Sequence, residues 1–291
     1  MAYGKKRNLF WYRSFICRTP PYAKSDFRRL GQNQTMDKMK RTEGFTLIEL
    51  LVVITIIALL LAITAPALNK AKIYAEEVVC KSNLRQYYLA TELYATDNDE
   101  RFPYPWKSLY KETIFPGEVQ RYCRWHNPVY NLDANPEKYG GPYWPYLAST
   151  AVNICPVFRK IAPKYGSSHF TGCIGEPFEP QFSYSMNGLF SENGNGIPKA
   201  QIASSPSQTF LWAEENMWLL TGLCTNVLND NALCADGRDC FASFHKISTA
   251  QLSVQRSTNQ YNTGKSNVLL MDGSLVFLSP TESIKYAGRR R

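Results

Sequence analysis

From Leu50 to Leu68 every residue is Leu, Val, Ile or Ala except Thr55, Thr64 and Pro66. An apolar run of about 20 residues predicts a helix able to cross a bilayer. Polar residues then return without breaking the helical pattern. Residues 67–95 lack Gly and Pro, and they set Lys70, Lys72, Lys81 and Arg85 among Ala71, Ala75, Val78, Leu84, Tyr88 and Leu93. That three-to-four-residue spacing of apolar positions predicts an amphipathic continuation. The stop signal is Asp97-Asn98-Asp99, followed by Phe102-Pro103. One helix is therefore expected from Phe45 to near Thr96, with 45–66 in the membrane and 67–97 offering one face to a globular head, 98–291. Glu76 and Glu77 are expected on its solvated face.

The head shows no second long periodic segment. Residues 103–190 are rich in Pro, Tyr and Trp, with turn clusters such as Tyr104-Pro105-Trp106 and Gly140-Gly141-Pro142, so loops with short strands or helices are expected. Residues 207–213 read as a buried strand, and 221–264 read as polar loop. The clearest hairpin joins Asn267–Met271 to Ser274–Leu278 through Asp272-Gly273, a pair that favours a two-residue type I′ turn. The expected fold class is α+β: a long N-terminal helix, transmembrane in its first half, packed on a small, mostly antiparallel β-sheet head with loop-rich insertions.

Charge changes this picture little. The chain has 291 residues and a formal net charge of +9. Residues 1–44 hold 11 Lys/Arg against 3 Asp/Glu, which leaves 22 against 21 in residues 45–291. The excess sits ahead of the apolar run, so bulk charge gives the head no nucleic-acid partner. Lys38, Lys40 and Arg41 flank the run, and retained positive charge puts the N-terminus on the cytoplasmic side with the head outside the cytoplasm.

Glu49 is the anomaly in this segment. A carboxylate at the edge of a membrane span is costly and usually has a partner. If the chain is cut between Gly44 and Phe45, the new α-amino group lies one helical turn from Glu49. A neighbouring subunit's amine could then pair with Glu49 and set axial register in a filament; the plainer alternative is a Glu that snorkels to water.

The run Lys40-Arg41-Thr42-Glu43-Gly44, then Phe45-Thr46-Leu47-Ile48-Glu49-Leu50-Leu51-Val52-Val53-Ile54, resembles the N-terminus of type IV pilins and type II secretion pseudopilins. The resemblance covers about 30 residues and implies cleavage by a membrane prepilin peptidase after Gly44, N-methylation of Phe45 and an assembly role for Glu49. Pro66 lies where many such subunits carry a helix-kinking Pro. The competing reading is an ordinary signal peptide cut near Ala65-Pro66-Ala67, but Pro disfavours that site and Glu49 interrupts the apolar region. Residues 1–44 form the leader; 1–35 look unlike one, and Met36 or Met39 is the expected start.

A second resemblance lies near the C-terminus, to a prepilin-like group, numerous in planctomycetes, whose members end in an H-x9-DG pattern. Asn262 fills the His slot here, nine residues precede Asp272, and Gly273 follows. Ser183-Tyr184-Ser185-Met186-Asn187-Gly188 and Asn83-Leu84-Arg85-Gln86 look similar to that group too. Without the motif His, any role tied to it is in doubt, and His245 is not assumed to replace it.

Of the eight Cys, Cys17 precedes the proposed cut, Cys80 is on the helix, and Cys123, Cys155, Cys173, Cys224, Cys234 and Cys240 lie in the head. Outside the cytoplasm six head cysteines could form up to three disulfides, with proximity favouring one within Cys224, Cys234 and Cys240; buried free thiols are the alternative. The absence of C-x-x-C disfavours a zinc ribbon or thioredoxin-like centre. Asp230, Asp236 and Asp239 share one loop and offer hard oxygen ligands for calcium, but the spacing is not an EF-hand and solvated turn acids are the favoured reading. No other cofactor is expected.

Thr263-Gly264-Lys265-Ser266 imitates a P-loop end, but a strand follows where phosphate binding needs a helix N-terminus. Glu214-Glu215 reads as a strand end, because adjacent strand residues face opposite ways. Trp106, Trp125, Trp144, Tyr143 and Tyr146 suggest either a sugar-stacking surface or core and turn packing. Of His126, His169 and His245, none forms H-E-x-x-H, no G-x-S-x-G is present, and no nucleophile–base set stands out, so no enzyme is expected.

The expectation is a structural subunit of a type IV pilus-like filament or type II secretion pseudopilus. Its expected partners are prepilin peptidase, copies of itself or homologous pilins, inner-membrane assembly machinery and membrane lipid. Its expected place is the cytoplasmic (inner) membrane, single-pass, and then a periplasmic or surface filament. The alternative is a membrane-anchored adhesion or glycan-binding protein that uses the prepilin export route.

Overall fold

The computed structural model describes residues 44–111, 136–147, 149–165, 181–202, 205–216, 231–246 and 263–287. Contacts divide the chain into Met1–Thr55 and Ile56–Arg291. One helix, α1 (Leu47–Asp97), starts in the first unit and carries on through the second with Pro66 inside it.

In the first unit the helix starts at Leu47, two residues later than expected, because Thr46 caps it. The Glu49 amide donates to Thr46 Oγ1 at 3.2 Å, while the Thr46 amide and hydroxyl each donate to Glu49 Oε2 at 2.8 Å. This reciprocal Thr-x-x-Glu arrangement satisfies amides that the helix start leaves without partners.

In the second unit α1 buries Cys80, Asn83, Leu84, Tyr87, Ala90, Thr91 and Ala95. That spacing follows one helical face. No described α1 residue before Cys80 is buried. The helix ends in left-handed backbone at Asp99 (φ 53°) and Glu100 (φ 54°), and the Glu100 amide closes onto the Ala95 carbonyl.

The head carries α2 (Pro136–Tyr139), α3 (Pro156–Tyr165), β1 (Tyr184–Asn187), β2 (Ser191–Glu192), β3 (Asn195–Gly196), β4 (Phe210–Glu214), β5 (Ala232–Leu233), β6 (Ser266–Leu270), β7 (Leu275–Leu278) and α4 (Pro280–Ser283). The main sheet has the order β5-β1-β4-β6-β7, and β2 and β3 form a separate pair. Only β1 with β5 is parallel in the main sheet, so it is mostly antiparallel and the fold is α+β. Strand β4 sits three residues later than the expected start at 207, and β5 is a short strand inside what the sequence presents as polar loop.

The buried seam of α1 meets β4 through Trp212. Its ring lies 4.5 Å from Tyr87 and 5.5 Å from Tyr143, and its Nε1 donates to Thr91 Oγ1 at 3.0 Å. Tyr87 in turn donates to Asn153 Oδ1 at 2.8 Å. The core is therefore aromatic, with each fully buried indole or phenol group here given a partner.

Two expectations change. Glu76 and Glu77 are not a free solvated face: Glu76 pairs with Lys160 of α3, and Glu77 pairs with Lys81 at 2.6 Å and lies 3.9 Å from Lys246. The head lies beside this turn of α1, so both acids find cationic partners there. The β6–β7 turn is also not a two-residue type I′ turn. Leu270 faces Ser274, the Gly273 amide donates to the Leu270 carbonyl, and Gly273 (φ 82°) is the left-handed residue of a three-residue loop. Such a loop needs positive φ only at its last position, which Gly supplies without strain.

After β7, the Ser279 amide and hydroxyl donate to Glu282 Oε2 at 2.8 and 2.6 Å, and Lys265 adds a third contact at 3.2 Å. The Ser279 bonds first, then Lys265, hold the Glu282 carboxyl down at about 2. Because the folded value is depressed, its stabilising contribution is present above the ordinary carboxylate range and is lost as pH falls toward 2. A carboxyl-resolved titration is expected to place Glu282 at this low midpoint, and Lys265→Ala to move it upward. Separately, Thr91→Val leaves the Trp212 indole N–H buried without its acceptor, so chemical denaturation is expected to show a loss of about 1–3 kcal/mol.

Candidate functional site

Among the described residues, two places combine chemistry-bearing side chains. The first is the start of α1. Phe45 is 70% exposed, and nothing lies within 4 Å of where a side chain at Gly44 would begin. From Gly44 to Ala75 every residue is exposed, although nearly all of those from Leu50 to Leu68 are apolar. Water does not tolerate such a stretch cheaply, and the helix is long and apolar enough to cross a membrane. Glu49 sits at its edge with its charge held by Thr46. The sequence reading found Glu49 but missed that Thr46-Leu47-Ile48-Glu49 is a capping box, a pattern legible in the chain.

The second place lies within the head and unites residues that the sequence reading treated separately. Cys80 of α1, Cys155 just before α3, Glu214 at the end of β4 and His245 bring four ligand-type atoms within 4.8 Å of one another. All four are buried: Cys80, Cys155 and Glu214 are 0% exposed and His245 is 3% exposed. The two sulphurs are 2.8 Å apart, Cys155 Sγ is 3.4 Å from His245 Nε2, and Glu214 Oε1 is 2.8 Å from the same nitrogen.

Supporting bonds aim these groups. The amide and side chain of Asn267 donate to Glu214 Oε2 at 2.7 and 3.2 Å, which turns Oε1 toward the histidine. The Cys155 amide donates to Ser183 Oγ at 2.8 Å. His245 is fixed by its backbone, which exchanges hydrogen bonds with Lys265 at 3.2 and 2.9 Å.

Electrostatics follow from burial and proximity. Burial works against the charged form of His245, but the Glu214 carboxylate and the Cys80 sulphur outweigh it and raise the imidazole to about 10. Burial also raises Cys80, yet its contacts with Cys155 and His245 bring it below its ordinary value. Burial and then Cys80 push Cys155 well up.

The cluster is not a Cys–His–Glu catalytic triad. In a triad the acid holds one ring nitrogen while the nucleophile uses the other. Here Cys155 and Glu214 both meet Nε2, and none of the four faces solvent.

Other candidate residues fall elsewhere. Asp236 bonds Arg238 at 2.9 Å, and Asp239 accepts from the Cys234 amide at 2.7 Å, so these acids order a turn; Asp230 lies outside the described residues. Cys80 and Cys155 are free thiols, and no disulfide joins Cys234 to Cys240. The Asp239 carboxylate closes that loop by its bond from the Cys234 amide. Cys17, Cys123, Cys173 and Cys224 lie outside the described residues, as do Trp125, His126 and His169.

Tyr143 is spent in the core and Tyr146 donates to Asp97 at 2.9 Å; Trp144 packs on the core and Trp106 stacks on Tyr104 at 5.1 Å. Packing therefore accounts for these described aromatics. Gly264 lies so close to the Ser243 carbonyl that any side chain would collide with it, and Lys265 reaches Glu282, so the P-loop-like segment serves strand packing.

Asp272 accepts from the Ser274 amide and hydroxyl at 2.9 and 2.6 Å, which stiffens the hairpin loop. Asn262 lies outside the described residues. A histidine nevertheless stands against this segment, because His245 pairs with Lys265 at the entrance to β6.

A family profile described as the prokaryotic N-terminal methylation motif matches residues 39–65. The type IV wide pilus major component PilA4 of Thermus thermophilus is 43% identical over 61 residues, which is 21% of this chain and 47% of that protein. The chain thus spans about half the length of the curated relative it matches. No solved structure matches it. The N-terminal segment, with its methylation motif and long apolar helix, is similar to that of a type IV pilin.

Proposed function

We propose that the chain is a non-enzymatic, membrane-tethered subunit of a type IV pilus-like filament or type II secretion pseudopilus. Prepilin peptidase removes the segment ending at Gly44 and Phe45 becomes the methylated N-terminus. Lys38, Lys40 and Arg41 keep the leader cytoplasmic, so the head stands outside the inner membrane. Assembly machinery then extracts subunits, and their apolar half-helices pack against one another. Burial among neighbouring helices keeps that surface out of water once it has left the lipid, where exposure would cost about 25 cal/mol per Å².

The observation that carries this reading is the exposed apolar helix with one acid at its start, inside a methylation motif. In the lone subunit Glu49 rests on Thr46. In a filament a neighbour's N-terminal amine replaces those neutral donors with a charged one. The amine brings a full opposite charge to the carboxylate, and that attraction grows as the surroundings lose water, which favours the exchange.

Two measurements test it. Mass spectrometry of the mature protein is expected to find a methylated N-terminal Phe45; an N-terminus near Leu68 would replace the proposal with ordinary secretion. Glu49→Gln keeps the capping box, since Gln serves at that position, but removes the charge. Losing a charge-assisted bond of about 1.5–3 kcal/mol per subunit is expected to weaken assembly roughly ten- to hundredfold while the head melts normally. Wild-type fibre yield from Glu49→Gln sinks the register role of this acid.

A further inference from the structure

We infer that Cys80, Cys155, Glu214 and His245 form a closed, structural zinc site that fastens α1 to the head. The inference is independent of filament assembly and would hold for the head in any role.

The donor set carries the first part of the argument. Two sulphurs, an imidazole nitrogen and a carboxylate oxygen are the ligand types zinc takes, and four protein ligands with no access to water make a structural rather than catalytic site. All four atoms lie within 4.8 Å of one another. Tetrahedral zinc with ordinary bond lengths of about 2.0–2.3 Å sets its ligands roughly 3.3–3.8 Å apart, so the cluster needs only small side-chain adjustments.

Hydrogen-bond accounting carries the second part. His245 Nε2 is approached by Glu214 Oε1, Cys155 Sγ and the Asn267 side-chain amide nitrogen at 2.8, 3.4 and 3.3 Å. One ring nitrogen offers either a single proton or a single lone pair. Protonated, its one proton serves Glu214, which leaves Cys155 Sγ and the Asn267 amide nitrogen beside it without a full bond to that nitrogen. Unprotonated, it faces the carboxylate lone pair to lone pair. A cation at the centre satisfies the carboxylate, the nitrogen and both sulphurs together. Zinc takes the place of the proton on Nε2 and of any thiol protons, which leave to solvent as it binds. No electron transfer is involved.

The surrounding structure supplies the third part. Asn267 holds Glu214 by its other oxygen, as an outer partner does for a ligating carboxylate. The ligands come from α1, the residue preceding α3, the end of β4 and the segment before β6, so one ion would tie the helix to three parts of the head. Cys80 is the first buried residue of α1, which places the tie where the helix meets the head.

The test uses the full chain purified in detergent without chelator and then supplied with zinc. Elemental analysis is expected to find about one tightly held zinc per chain, and cobalt in its place to show intense visible bands of a tetrahedral site with thiolate-to-metal charge transfer. Cys80→Ser is expected to lower that charge-transfer intensity by roughly half, since one thiolate remains. The unmodified chain gives the decisive readings, so a poorly folding variant does not cloud the result. Three outcomes overturn the inference: a Cys80–Cys155 disulfide, seen as a chain two hydrogens lighter that takes up no metal; both thiols free with no zinc retained; or undiminished zinc in the Cys80→Ser, Cys155→Ser double variant.

Discussion

Helix α1 can bury only one side of Cys80–Ala95, and the head is arranged around that seam. Tyr87 and Thr91 meet Trp212 of the central strand β4, and Asn83 reaches Tyr184 of β1. Each polar group drawn into this contact has a partner on the opposite element. The seam is therefore specific as well as apolar: sliding the helix by a turn would strand an indole N–H, a phenol and an amide together. Residues before Cys80 have no such partners within the described residues and present apolar surface that water disfavours. One continuous helix thus serves two environments, and the change falls between Ala75 and Cys80.

Two carboxylates show how differently the molecule handles charge in its two parts. Glu49 is exposed and takes local partners three residues away, which a neighbouring molecule can displace at little cost. Glu214 is fully buried and takes partners from residues 245 and 267, where leaving it alone would be expensive. The first arrangement suits an exchangeable contact between subunits. The second suits a permanent fastening inside one.

The long helix, the strand near 210 and the hairpin around Asp272-Gly273 were legible because each is a local pattern: an apolar run, an apolar strand, a Gly where the backbone turns. The turn type was not legible, since the choice between two and three loop residues depends on where Leu270 meets Ser274 across the strands. The solvated reading of Glu76 and Glu77 failed for a similar reason. Helical spacing says which side of α1 they share, but not that Lys160 and Lys246 arrive beside them. His245 stayed unassigned because residues 247–262 separate it from the strand segment it pairs with.

Sequence alone determined the acid at Glu49 and the membrane-length helix, because charge and bilayer thickness act on contiguous residues. Only tertiary structure decided that Cys80, Cys155, Glu214 and His245 meet in one buried cluster. Their separations along the chain follow no ligand motif, and it is the antiparallel stacking of β4 and β6 beneath a helix fixed by Trp212 that brings them together. Contacts of that kind depend on how distant elements pack, which no short window of residues records.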